Sequence, residues 1–179
     1  MITRQLQGIV RKTAAELIEK AGLKLCPEEI DRIEIADFGL GNLAREGAQI
    51  LTLVQTQRYC VKVLALFANQ TEPEHWHPPI GDDPGKDETV RVVWGKLFMV
   101  IEGENTMSEN HIPAGKDSVY TCRHEIIMTP GSQLTLEPGA KHWFKAGTEG
   151  CVLFSFSSVA RDGLDGFSDP GVERRTRIQ

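Results

Sequence analysis

The chain has 179 residues, 40% hydrophobic and 25% charged, with 20 basic against 25 acidic side chains and a net charge of −5. That length gives one domain with a sizeable core. The absence of a basic stripe excludes nucleic acid and anionic membrane as expected partners, and no apolar run approaches a membrane span. The N-terminus, Met1–Gln5, lacks the apolar region of a secretory signal. Cys26, Cys60, Cys122 and Cys151 form no Cys-x-x-Cys pair. They read as reduced thiols of a cytoplasmic protein, and a thiol mechanism or zinc–cysteine site has no support.

Leu6, Ile9, Val10, Leu17 and Ile18 recur at helical spacing, and Gly22 is a natural stop. One helix from about residue 3 to 21 is expected, or two pieces joined near Thr13, where Thr13 and Glu16 have capping-box spacing. Pro27-Glu28-Glu29 opens a second short helix ending near Ile33, with proline and acids in its first turn. Residues 37–42 read as a turn. From about Gln49 the texture becomes short, β-rich runs parted by Gly, Pro, Asn or Asp. Strands are expected at 50–54, 59–67, 88–98, 99–102, 119–128, 132–136, 141–146 and 150–158. Turns are expected at Pro130-Gly131, Pro138-Gly139 and 147–150, and an irregular excursion at 106–118. Many short strands at this spacing indicate a sandwich or barrel. The end of the tail, Glu173–Arg177, reads as a solvated, frayed terminus.

The stretch Glu74-His75-Trp76-His77-Pro78-Pro79 holds two of only five histidines, as His-x-His. Residues two apart on a strand share a face, so an extended 72–77 aims both imidazoles the same way. Lys86 and Glu88 stand in the same relation beyond a turn-rich loop. Two imidazoles and a carboxylate suit a divalent metal such as Mn, Fe, Zn or Ni. On these residues alone, hydrogen-bonded core histidines or a polar surface strand are equal readings.

A second block runs Gly131 to Phe144, with Pro138-Gly139 delivering His142 at the start of an aromatic strand. The two blocks resemble the two cupin motifs: His-x-His, then Glu88 with Gly95 seven residues on, then Gly, Pro-Gly and His. Carried over residue by residue, the resemblance implies His75, His77, Glu88 and His142 as metal ligands inside a jelly-roll barrel. Asn69 stands where cupins often have glycine, Glu137 where proline is frequent, and the loop between His77 and Glu88 is long. A closer resemblance covers most of the chain. Arg58-Tyr59-Cys60, Pro73–Pro79, Gly85-Lys86-x-Glu88-Thr89, His124–Ile127, Lys141–Phe144 and Asp169-Pro170 are similar to the small bacterial cupin D-lyxose isomerases.

That resemblance implies a single, all-β cupin domain: a double-stranded β-helix over 48–158, N-terminal helices and a turn over 1–47, and a C-terminal tail over 159–179. It implies one divalent metal per chain, typically Mn(II), with Zn, Fe, Co or Ni as alternatives. The activity implied is aldose–ketose isomerisation of a monosaccharide: D-lyxose to D-xylulose, with D-mannose and D-fructose a related pair. A barrel edge and an apolar helix face suit a homodimer.

Moving a carbonyl between C1 and C2 passes through an enediolate and needs a proton carrier beside the metal. Lys86 is the first candidate, as base or as a cation that polarises a substrate oxygen. Glu74 and the His124-Glu125 pair follow. Lys62, Tyr59 and Asp169 are candidates to hold sugar hydroxyls. Trp76, Trp94 and Trp143 belong to barrel core or dimer surface. One departure stands out: family members carry a glutamate on the strand after the third histidine, where this chain has Ser155. The competing functions are an Fe(II)-dependent cupin dioxygenase and a non-catalytic sugar-binding or sensor cupin, the second favoured by Ser155.

Overall fold

The computed structural model describes residues 2–109 and 111–179. Helix α1 (Arg4–Lys20) is capped by the Thr3 hydroxyl, which accepts from Leu6 N. It runs unbroken through Thr13, whose hydroxyl donates back to the Ile9 carbonyl instead of capping a second piece. Helix α2 (Pro27–Arg32) follows. No helix among the described residues is long and apolar enough to cross a membrane.

Among the described residues nine strands follow: β1 (Glu34–Ala36), β2 (Ala48–Gln55), β3 (Tyr59–Leu66), β4 (Thr71–Trp76), β5 (Glu88–Ile101), β6 (His124–Met128), β7 (Gln133–Leu136), β8 (His142–Ser158) and β9 (Gly166–Phe167). All named pairs are antiparallel. The strands curl into the jelly roll of the cupins. Two long strands, β5 and β8, pair along their whole length and pass through both walls. Their first wall continues through β3, β2 and β1, with β7 on β5; the second carries β4, β9 and β6.

Residues 147–150 are therefore a bulge inside one strand and not a turn between two. The β5–β8 pairing steps from Gly95↔Cys151 to Leu97↔Ala146 across it. Gly95 has φ +79°, and a Cβ there would stand 2.2 Å from the Gly150 carbonyl, so only glycine fits the corner. The extra residues also switch parity. Val90 and Val92 face the core before the corner, and Leu97 and Met99 after it. The strand expected over 119–128 begins only at His124, because Tyr120 and Cys122 pack in a separate cluster with Trp143.

Alternation on β2 and β3 divides two layers. Ile50, Leu64 and Leu66 join the barrel core, whereas Leu51, Val63 and Ala65 pack with Val10, Ala14 and Ile18 of α1. The helices thus cover the outside of one wall. The tail is not frayed at its end. Arg174 binds Glu34, Thr176 donates to Asp37, and Ile178 bridges to Ile2.

Candidate metal centre

The His-x-His strand is not regular. Pairing runs Glu72↔Phe144 and then His75↔His142, three residues on β4 against two on β8. That extra residue is a β-bulge. A regular strand would face Glu72 and His75 to opposite sides; the bulge turns Glu72 inward with His75, while Glu74, next to His75, faces away. The Glu74 carboxylate accepts from Thr121 N (2.6 Å), Thr121 Oγ1 (2.7 Å), Cys122 N (2.7 Å) and Ser168 Oγ (2.5 Å). It staples the 120–122 segment and the tail to β4.

His77 lies just past β4, and its carbonyl accepts from Gly139 N at 3.0 Å, so the Pro138-Gly139 turn docks one motif on the other. Gly85 has φ +109°, and a Cβ there would meet the same carbonyl at 2.5 Å. A glycine is required for the loop to return at this point and hand Lys86 and Glu88 to the interior.

Ligand atoms of His75, His77, Glu88 and His142 all lie within 4.8 Å of one another, and all four residues are buried. His75 Nδ1 donates to the Pro73 carbonyl and His142 Nδ1 to the Ala140 carbonyl, each at 2.9 Å. His77 Nδ1 donates to Asp165 Oδ1 at 2.7 Å. With every Nδ1 committed as a donor, the Nε2 lone pairs are left for the centre. His142 Nε2 is buried and has no hydrogen-bond partner. Glu88 Oε2 stands 3.0 Å from His77 Nε2 and 3.9 Å from His142 Nε2. Its Oε1 accepts from Ser155 Oγ.

Burial, reinforced by the neighbouring imidazoles, holds His75 well below the usual histidine range. Burial likewise takes His142 down to about 4. Both rings are neutral at pH 7, the form that binds a metal. Burial opposes charge on His77, but Asp165 and Glu88 outweigh it and raise its pKa. Burial opposes charge on Glu88 too, yet Lys86 and His77 hold it ionised, well below the carboxylate range. Three imidazoles and one carboxylate fit a divalent ion of the Mn–Zn series and do not select among them.

The cluster forms one side of a cavity whose lining includes Lys62, Glu72, Lys86, Asp162, Asp165 and Arg174. Lys86 Nζ lies 3.4 Å from Glu88 Oε2. Burial would discharge Lys86, but Glu88 and the tail aspartates keep it cationic. Lys62 Nζ donates to Asp162 Oδ2 at 2.5 Å, and Arg174 reaches the same oxygen at 3.2 Å. Lys62 and Lys86 are thus brought to the cavity.

The other sequence candidates are placed elsewhere. Glu74, adjacent to His75, faces away from the cavity and is bound by Thr121, Cys122 and Ser168. His124, on the edge strand β6, bonds Thr106, and Glu125 stands 2.8 Å from His111, both outside the cavity. Tyr59 is 50% exposed at the start of β3. Asp169 pairs with Lys116 and caps Gly171 N. Sequence reasoning missed Glu72, because the bulge is invisible to period-two counting, and Asp162, Asp165 and Arg174, which were read as tail.

The sequence profile of the D-lyxose isomerase family matches residues 32–179. The chain belongs to that family. It is 52% identical over 170 residues to the D-lyxose ketol-isomerase of Cohnella laeviribosi, covering 94% of this chain and 93% of the relative. It is 45% identical to the D-lyxose/D-mannose isomerase of Thermosediminibacter oceani, covering 95% and 94%. Among solved structures, the L-ribose isomerase of Acinetobacter sp. DL28 in complex with L-ribose matches with a TM-score of 0.84 over 99% of this chain and 98% of that one. At 13% identity, this likeness concerns the fold.

Proposed function

We propose that this protein is a metal-dependent aldose–ketose isomerase that interconverts D-lyxose and D-xylulose, with D-mannose and D-fructose as a second pair. It works in the cytoplasm as a homodimer with one Mn(II) per chain. The observation that carries the reading is the buried set of three Nδ1-anchored imidazoles and one ionised carboxylate, opening on a charged cavity in a chain of this family. For the dimer, Leu53, Tyr59 and Phe156 leave apolar surface on β2, β3 and β8.

His75, His77, Glu88 and His142 hold the metal. When bound, it supplies a Lewis acid that stabilises the negative charge developing on the sugar's O1 and O2. Lys86 is a buried cation beside this centre and stabilises the same charge from the protein side. Asp165 keeps the His77 proton on Nδ1, and Ser155 keeps Glu88 in place. Ser155 therefore serves a metal ligand in this chain. Carboxylates are still supplied to the cavity: besides Glu88, it is lined by Glu72, Asp162 and Asp165. The base that takes the C2 proton is one of the buried groups lining this cavity, where charge interactions are strong.

The test is conversion of D-lyxose to D-xylulose by Mn(II)-loaded protein, beside His142→Ala. We expect turnover in the wild type and loss of both metal and turnover in the variant. No turnover of any pentose or hexose by the loaded wild type overturns the reading.

A further inference from the structure

Among the described residues, Glu72 is the cavity acid with an unpartnered buried oxygen, and the metal site and its supports do not use it. It lies on β4, paired with Phe144 one inward step from the His75–His142 pair, and only the bulge aims it inside. It is 8% exposed, and its Oε2 has no hydrogen-bond partner. The other cavity acids are all occupied. Asp162 holds Lys62 and Arg174, Asp165 holds His77, and Glu88 holds Ser155, His77 and Lys86. The cations are occupied in the same pairs, and Arg174 also binds Glu34. An enclosed carboxyl oxygen left without a donor costs free energy, so a ligand that brings O–H donors is favoured there. One inward step along a strand is about 6–7 Å from the ligand layer. That offset puts Glu72 opposite carbons beyond the reacting C1–C2 pair of an extended sugar.

Resting on the isomerase reading, we infer that Glu72 is the specificity residue of this cavity: its unpartnered carboxyl receives a hydroxyl on the sugar carbons remote from the metal. It is a recognition group and not a metal ligand, since it stands outside the four-residue cluster. Chain length and distal hydroxyls of the substrate are thereby read by the same strand that presents His75. Burial, then the charge on Glu88, raises the Glu72 pKa to about 7. At neutral pH the group both accepts and donates, which suits a hydroxyl partner.

The test compares binding of a five-carbon polyol, D-arabinitol, with that of glycerol, by calorimetry on Mn(II)-loaded wild type, Glu72→Ala and Glu72→Gln. Metal content and circular dichroism establish that each variant is folded and loaded. Losing a hydrogen bond to a buried, partly ionised carboxyl, with its partner hydroxyl left unpaired, costs on the order of 10–100-fold in affinity. Glu72→Ala is therefore expected to weaken D-arabinitol binding by about 10–100-fold and to leave glycerol unchanged. Glu72→Gln, which keeps an acceptor, should recover part of that loss. Equal losses for both polyols, or no loss for either, overturn the inference. Intact D-arabinitol affinity with depressed turnover would place Glu72 in proton transfer instead and also overturn it. Because calorimetry needs no turnover, a selective loss stands even if the wild type isomerises no aldose. Conversely, isomerisation with unchanged polyol affinity sinks only the role of Glu72.

Discussion

At the histidine end of the cavity, two of the three rings are fixed by a carbonyl two residues away, His75 by Pro73 and His142 by Ala140. At the opposite end the contacts are long-range. Lys62 is held by Asp162, one hundred residues on, and Arg174 reaches back 140 residues to Glu34. His77 belongs to both ends, since its Nδ1 is bound by Asp165 of the tail. A site fixed by near neighbours leaves a spacing pattern in sequence. A site fixed by the closing tail leaves none.

This contrast predicts different failures at the two ends. The largest effect is expected at Lys86. Lys86→Ala should keep the metal, because no Lys86 atom belongs to the ligand set, and should lower turnover roughly 10²–10⁴-fold, the range of a group acting on a transferred proton or its charge. Full activity in that variant, with metal content measured alongside, would reduce Lys86 to a loop lysine and move the chemistry to the tail carboxylates.

A smaller effect is expected where the two ends meet. Asp165→Asn weakens the acceptor that orients His77, and such outer partners are worth about 10–100-fold in metal affinity. Titration with a competing chelator reads this directly. An unchanged affinity would show that the tail does not support the metal, and the two ends would then be independent.

The last effect, on stability and not on activity or metal, concerns Glu72 in the metal-free protein. Its folded pKa of about 7 lies above the ordinary 4.5, so the folded state binds the proton more tightly than the unfolded chain. The stability this contributes is full below pH 4.5 and drains away as pH rises through 7. By pH 8 the loss is roughly 3 kcal/mol at most. Glu72→Gln does not titrate, so relative to wild type it should gain stability between pH 5 and pH 8. Denaturant midpoints at the two pH values measure this, and parallel behaviour would mean Glu72 is ionised or solvated in the fold.

Much of the architecture could be read from the chain. The many short strands indicated a sandwich or barrel, the resemblance to the two cupin motifs implied a centre inside it, and both helices were marked by their apolar spacing and by Pro27. What escaped was whatever depended on a local break in period. The bulge after Glu72 brings that acid into the cavity with His75 while Glu74 stays outside, and no count of alternating residues shows it. The corner at Gly95 and Gly150 similarly hides one long strand behind a turn-like sequence. Asp162, Asp165 and Arg174 lie among Gly, Asp and Arg residues that compose a solvated tail as readily as a cavity wall, and only their partners far back in the chain distinguish the two.

The central claim is the position of one divalent ion. Anomalous diffraction from crystals grown with Mn(II), recorded at the manganese edge, locates it without reference to activity. The account predicts a single strong peak per chain, bonded by His75 Nε2, His77 Nε2, His142 Nε2 and the Glu88 carboxylate. A peak at any other place, or none between these four side chains, would contradict it.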